Sequence, residues 1–401
     1  MRRNIAGLTV AVCVTVCGAV CGALAGSPAR AATVADSIAR IEGPQSPDRQ
    51  DTDALTIAQM MARAGVPGIS ITVIQDFRIA WTKHYGVSDV ESGSPVTDET
   101  LFQAASMSKP VAAMLSLKAV QAGKFGLDQD VNSILKSWKL QSAAIGQAVV
   151  TPRMLMSHTS GTGDGFGFPG YEPGAALPTQ VEILDGRKPA NRGPVKLVRP
   201  PLRAFQYSGG AVQIQQLALT DAVGVPFARL AQDWLLGPLG MRHSSFEQPL
   251  PPEWQTRTAR GHDNGKALGT ARWHVYPEQA AAGLWTTAGD YALFMIDVQK
   301  TMAGQSHVVL GKDTMQNMVT PVGVGPYAVG FAIEPKGQGW YFRHGGANWG
   351  FRSQAIAHVA KGYGVVIMTN GERGGDIANE IIERVAAAYG WDMLDKPVLR
   401  N

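Results

Sequence analysis

Strand signals stand at the two ends of this chain and helix signals fill its middle, an order that leaves few folds open. Near the start, residues 68–74 and 78–85 form apolar or alternating runs on either side of the turn-like Gln75-Asp76, after a stretch of helical periodicity at 52–64. From 106 to about 270 helix signals dominate. They include Thr151-Pro152, a cap with proline at the first helical position, and a long apolar segment at 212–236 broken near Gly224-Val225-Pro226. Alternating or apolar runs return at 327–333, 339–342, 353–357 and 364–369, and 376–389 closes the chain as an amphipathic helix. This order predicts an α/β (α+β) fold: one antiparallel sheet flanked by helices, built from both chain ends, with an inserted all-helical lobe. The sheet domain is expected over 32–104 and 271–401, the helical domain over 105–270, and a cleft between them is the natural site.

Residues 1–31 read as a secretory signal: Arg2 and Arg3, an apolar run from about Ile5 to Leu24, then Ser27-Pro28-Ala29-Arg30-Ala31 with an A-x-A cleavage pattern. A periplasmic or secreted destination follows, with no stable membrane span after the signal is removed. Cys13, Cys17 and Cys21 all leave with it, so the mature chain forms no disulfide and its core must hold it together. With Arg2, Arg3 and Arg30 gone, 33 basic side chains face 32 acidic ones, which predicts no nucleic-acid partner. At 45% hydrophobic and 17% charged residues the remainder is a globular body large enough for a substantial core.

Ser106-Met107-Ser108-Lys109 opens an apolar helical stretch in which Val111, Met114, Leu115, Leu117 and Val120 recur until Gly123. Residues i and i+3 share a helix face, so Lys109 can hydrogen-bond Ser106 and take its proton. The N–H groups and positive dipole end of a helix start favour an alkoxide and an oxyanion. The same spacing at Ser133-Ile134-Leu135-Lys136 has only a short, mixed surrounding and reads as structural. Pro110 disfavours helical backbone at the residue before it, which predicts local strain at Lys109.

A serine activated by lysine still needs a proton relay to its leaving group, and a phenol beside both serves as base and then acid. Tyr207-Ser208-Gly209, between the irregular stretch 200–206 and a helix, is the candidate. Arg343-His344-Gly345-Gly346-Ala347 lies on an expected strand whose glycines let substrate approach the backbone, with His344 adding a polar contact and a strand N–H facing the oxyanion. The glycine-dense stretch 161–170 fits neither G-x-G-x-x-G nor a Walker A pattern and is expected as a mobile loop at the cleft mouth. Arg187, Lys188, Arg192, Lys196, Arg199 and Arg203 read as a solvated loop, with steering of anionic substrates as the alternative. The eight histidines show no metal-ligand spacing, so no metal and no cofactor is implied.

Taken in order, Ser106-x-x-Lys109, Tyr207 and His344-Gly345-Gly346 resemble the three motifs of the serine β-lactamases, penicillin-binding peptidases and β-lactamase-like carboxylesterases, the class C branch most of all. The phrases from Leu155 to Gly161 and from Ala281 to Ala288 are similar to recurrent stretches of that superfamily. The resemblance implies Ser106 as nucleophile, Lys109 as its proton acceptor and Tyr207 as general base and acid. It further implies the N–H groups of Ser106 and Ala347 as the oxyanion hole, and His344, Gly345 and Gly346 as substrate-binding residues, His344 standing where many relatives have lysine. His158 takes a structural role. Ser208 is excluded as a nucleophile-elbow serine, because Gln206 occupies the first glycine position of G-x-S-x-G.

Two positions depart from the family pattern. Gly209 replaces an asparagine that reads a substrate amide, and Gly345 replaces a hydroxyl residue that holds a β-lactam carboxylate. Losing two such hydrogen bonds, each worth about 1 to 3 kcal/mol, tilts the chemistry from penicillins toward esters. The expectation is an exported serine hydrolase acting on a small-molecule ester or amide. Its alternatives are a β-lactamase, a D-amino peptidase or DD-carboxypeptidase, and a penicillin-binding sensor that acylates without turnover. The residues carry no signal for subunit number.

Overall fold

The computed structural model describes residues 33–48, 51–141, 148–163 and 167–396. The expected signal at 1–31 and its three cysteines lie outside them.

Seven strands form one antiparallel sheet: β1 (Gly68–Gln75), β2 (Arg78–Asp89), β3 (Ser94–Pro95), β4 (Ala332–Lys336), β5 (Gly339–Asn348), β6 (Phe351–His358) and β7 (Gly364–Thr369), in the order β3-β2-β1-β7-β6-β5-β4. The two chain ends meet at its centre, where β1 pairs with β7 from Ile69 opposite Thr369 to Ile74 opposite Gly364. Both are buried along nearly their whole length, and alternation sends their side chains to two different cores. Ile69, Ile71 and Val73 join Val365 and Ile367 on one face, while Ile74, Val366 and Met368 belong to the other.

The first face is covered by α1 (Val34–Glu42), α2 (Ile57–Ala64) and the C-terminal helix Gly374–Tyr389. Arg384 of that helix is buried and clips these pieces together. It pairs with Glu380 at 2.6 Å and donates to the carbonyls of Gly43 at 2.8 Å and Thr52 at 3.0 Å. A buried guanidinium is tolerable here because its donors are used. Helix α2 starts later than the expected 52, because Thr56 caps it in a reciprocal box with Gln59 and excludes the preceding residues.

On the second side the same hydrophobic cluster takes in α3 (Ser108–Gln121) and α4 (Gly209–Val223), which pack on each other, and α5 (Ala288–Met302), which lies on β1, β2 and β7. Helix α3 is apolar nearly all round and buried over most of its length, the pattern of a helix inside a core. Helix α4 ends where Gly224 takes a left-handed φ of 78°, at the break expected from sequence. The short helix Pro152–Met156 is capped by Thr151 with its proline at the start, also as expected.

The expected strand at 327–333 does not form as such. The strand is Ala332–Lys336, and Tyr327 touches it only through an isolated bridge to Ala332. Gly330, at φ 97°, packs against Ala113 and Pro110, a close approach that continuous pairing forbids. Among the described residues no helix is long and apolar enough to cross a membrane.

Candidate active site

Ser106 does not sit in an α-helix but in the 3-10 turn Ala105–Met107 that leads into α3. The turn is clamped from behind. Phe102–Gln103 pairs with Trp285–Thr286, the Ala104 N–H reaches Leu284 O at 2.9 Å, Ser108 Oγ accepts from the Leu284 N–H at 3.0 Å, and the Tyr291 hydroxyl donates to Met107 O at 3.0 Å. The stretch 281–288, singled out in the sequence, is therefore the back wall of the nucleophile turn. Pro110 falls in the first turn of α3, where N–H groups lack helical partners, so it sacrifices no bond. The expected strain at Lys109 is instead one residue before the serine, at Ala105, whose φ is 51°.

Lys109 is buried at 3% exposure, and its Nζ donates to Ser106 Oγ at 2.9 Å and to Ala281 O at 2.8 Å. Tyr207 arrives from a different segment. Its hydroxyl hydrogen-bonds Ser106, and Lys109 Nζ lies 5.0 Å from its ring centre. Burial, and next the nearby Tyr327, push the phenol well above its ordinary value, and the bond to Ser106 draws it partly back. At rest it is a protonated phenol, ready to give a proton.

His158, whose backbone has a φ of 59°, holds Tyr207 in place. Its ring lies against the phenol, tilted by 34° with centres 4.3 Å apart, its carbonyl accepts from the Gln206 N–H at 2.9 Å, and its Nδ1 accepts from the Ser208 N–H at 3.2 Å. Burial first, then the charge of Lys109 and the neighbouring His344, hold its imidazole well below the usual range, so it is neutral and supports rather than reacts. Ser208 is the N-cap of α4, its Oγ accepting from the Ala211 N–H and from Thr162 Oγ1, both at 2.8 Å.

Strand β5 brings the third motif. Pairing of β4 with β5 stops at Arg343, so residues 344–348 run past it beside the Ser106 turn. A Cβ on Gly346 would come within 2.1 Å of Ala104 O and 2.3 Å of Ser353 Oγ, so only glycine permits this approach. Ala347 is exposed next to it, and Gly345 lies alongside the Gln354 amide. His344 is 3% exposed, 6.1 Å from the Tyr207 ring and 5.9 Å from Tyr327. Its Nδ1 lies 2.7 Å from Gly345 O, which can only accept, so Nδ1 carries the hydrogen and Nε2 a lone pair. Burial and the Lys109 charge press its imidazole down to about 3, and it is uncharged at neutral pH.

Sequence reasoning did not find Tyr327 or Asn348. Tyr327, read as a strand residue, packs edge-on to His158 at 4.9 Å and stacks on Phe205 at 5.3 Å. Asn348 anchors the end of β5 to Gln103 Oε1 at 2.9 Å and Ala282 O at 3.1 Å. Its signal was available, directly after Ala347. Of the glycine-dense stretch, 164–166 lie outside the described residues. The part before them is tied down, Gly163 N–H to Lys196 O at 3.1 Å and Val198 N–H to Gly161 O at 2.9 Å. Ser133 is exposed and bonded to Asp130 O at 2.6 Å, far from this chemistry. Among the described residues no group of His, Cys, Asp and Glu is placed to hold a metal ion.

Comparison with known proteins places this arrangement. The beta-lactamase family profile matches residues 54–389. Esterase EstB from Burkholderia gladioli is 28% identical over 204 residues, 50% of this chain and 52% of its own length. Alignments with the first curated relatives span 52% to 62% of those proteins. D-alanine carboxypeptidase AmpC from Burkholderia cenocepacia superposes with a TM-score of 0.66 at 19% identity, covering 89% of this chain and 100% of that one. SurE, in a crystal structure with D-Leu, superposes with a TM-score of 0.67 at 22% identity, covering 86% and 76%.

Proposed function

The chain belongs to the beta-lactamase family, whose members are serine hydrolases, and on that footing we propose that it is an exported enzyme cleaving small carboxylic esters through an acyl-enzyme on Ser106. The observation that carries this reading is the meeting of hydroxyl, amine and phenol: Lys109 Nζ at 2.9 Å from Ser106 Oγ, and the Tyr207 hydroxyl on the same oxygen.

In this reading the Lys109 ammonium, whose charge His158 and His344 feel at rest, first gives a proton to solvent, and Ser106 Oγ then attacks the ester carbonyl while its own proton passes to the neutral Lys109 amine. The oxyanion accepts hydrogen bonds from the N–H groups of Ser106 and Ala347. Collapse breaks the bond to the alcohol oxygen, which takes the Tyr207 proton, and Lys109 refills the phenol. Water then attacks the acyl-enzyme, its proton passing through Tyr207, and Ser106 recovers its hydrogen as the acid leaves. No cofactor enters this cycle.

Esters are favoured over β-lactams and D-amino peptides by the charge around the serine. His344 is uncharged where many relatives have lysine, Gly345 offers no hydroxyl to hold a β-lactam carboxylate, and Gly209 offers no amide. The Arg2, Arg3 and A-x-A pattern of residues 1–31 supports export. The deciding experiment compares para-nitrophenyl butyrate, nitrocefin and a D-Ala-D-Ala peptide, with intact mass spectrometry of the protein. Ester turnover with a transient adduct on Ser106, lost in Ser106→Ala, is expected. A lasting adduct without turnover makes the protein a sensor, and faster nitrocefin or peptide cleavage makes it a lactamase or peptidase.

A further inference from the structure

Gly209 leaves space at the start of α4, two residues past the phenol, and an aromatic ring fills it. A Cβ at 209 would come 2.7 Å from Cε2 of Phe168. Phe168 packs on the main core yet stays partly exposed. Phe205 and Tyr327 are half-buried as well, stacked at 5.3 Å, and Tyr327 lies 6.1 Å from the Tyr207 ring. Gly325, at φ 79°, makes room for Phe205 in the same way, since a Cβ there would meet Phe205 at 2.5 Å. Two glycines thus admit two rings near the site, Phe168 against the helix start that follows the phenol and Phe205 against Tyr327, which itself packs near Tyr207 and the uncharged His344.

Aromatic surface left partly open near the site favours any apolar group that covers it. Alkyl groups cover it best. A charged or amide-bearing group forfeits hydration there without a matching partner. The alcohol departs after the first step, whereas the acyl group stays until water arrives, so surface that secures the substrate through both steps serves the acyl part. We propose that Phe168 is a wall of the acyl pocket and that this pocket selects esters of apolar acids several carbons long over acetyl esters. The inference rests on the ester reading and gives it a substrate class.

The test is the ratio of kcat/KM for para-nitrophenyl hexanoate over acetate in wild type, Phe168→Ala and Gly209→Asn, with hexyl acetate as a probe of the alcohol side. Wild type is expected to favour hexanoate, and Phe168→Ala to lower the ratio about tenfold, the scale of a methylene or two in an apolar pocket. Gly209→Asn pushes the ring aside and is expected to lower it too. Circular dichroism melting reports whether each variant folds, and Phe168→Leu, which keeps apolar bulk, should restore much of the ratio. An unchanged ratio in folded Phe168→Ala overturns the proposal, as does a change confined to hexyl acetate. Labelling of Ser106 by ethyl para-nitrophenyl hexylphosphonate and methylphosphonate, followed by mass, reads the pocket without turnover. If no ester is cleaved the function proposed above fails, and the acyl pocket then stands or falls on faster hexyl labelling that Phe168→Ala abolishes.

Discussion

The serine's position is set by its neighbours more than by itself. Ala105 spends backbone energy in the left-handed region, and Gly346 lets β5 lie against the carbonyl of Ala104, to which Ser353 Oγ also donates at 2.9 Å. Gly346→Ala forces a methyl into that carbonyl, so either β5 or the nucleophile turn must move. A cost of about 1 to 3 kcal/mol is expected in urea unfolding, with kcat/KM for an ester falling more than tenfold because Ser106 shifts against Lys109. A variant that melts earlier yet keeps full kcat/KM would show that the two strands of the argument are separate. Lys109→Arg is expected to lose about 10² to 10⁴ in kcat, since a guanidinium neither gives up a proton nor fits between Ser106 Oγ and Ala281 O. That Ser106, Lys109 and Tyr207 would meet was legible from the i, i+3 spacing of the first two and, for Tyr207, from its place before a helix and from the motif order that resembles the family's. Tyr327 was not, for aromatic rings have many uses and only its packing on His158, Tyr207 and His344 brings it to the site.

At the scale of elements, Ser208 shows how a helix start presents the phenol. It caps α4 and accepts from Thr162, joining the helix to the segment before the glycine-dense loop. Ser208→Ala is expected to cost about 1 kcal/mol as a lost cap, seen as a lower melting temperature, while mass spectrometry still finds the acyl group on Ser106; loss of the adduct with the fold intact would reopen Ser208 as a nucleophile. Sequence periodicity located β1, β6 and β7 because one or both faces of each are buried, and burial is what alternation and apolar runs record, while β2, mostly half-buried, was found beside the Gln75-Asp76 turn. It mistook 327–333 for a strand because Val329 and Phe331 are buried there too, in a loop that folds under α3. It also read an α-helix from Ser106, where hydrogen bonds from the 284–291 segment impose a 3-10 turn. Such cross-chain bonds leave no local pattern.

For the whole molecule, His158, His344 and Glu278 are three of the buried groups through which stability responds to pH. His158 and His344 are held uncharged in the fold, His344 down to about 3, while an unfolded histidine titrates near 6.5. The unfolded chain therefore binds more protons below 6.5, and stability falls as the pH drops from there toward 3. Glu278 works in the opposite sense. It is 1% exposed, its Oε2 has no hydrogen-bond partner among the described residues, and burial lifts its carboxyl from 4.5 to about 7 against the opposing pull of its own backbone N–H and, after it, of Arg192. Its contribution is complete below 4.5 and disappears as the pH rises through 7, an effect of at most about 3 kcal/mol at the usual 1.4 kcal/mol per unit. Glu278→Gln keeps the shape and removes the titration. Urea midpoints measured from pH 5 to pH 8 are expected to converge for wild type and variant at the acid end, and to separate progressively above it, the variant being the more stable at pH 8. The separation has a functional side, because Glu278 directly precedes the turn Gln279–Ala282, whose Ala281 carbonyl holds Lys109 and whose Ala282 carbonyl holds Asn348. Ionising it strains the wall behind the serine, so the alkaline limb of ester turnover should move upward in the variant together with the stability curve. Parallel midpoints across the whole range would mean that Glu278 finds solvent when it ionises, and would detach it from the site.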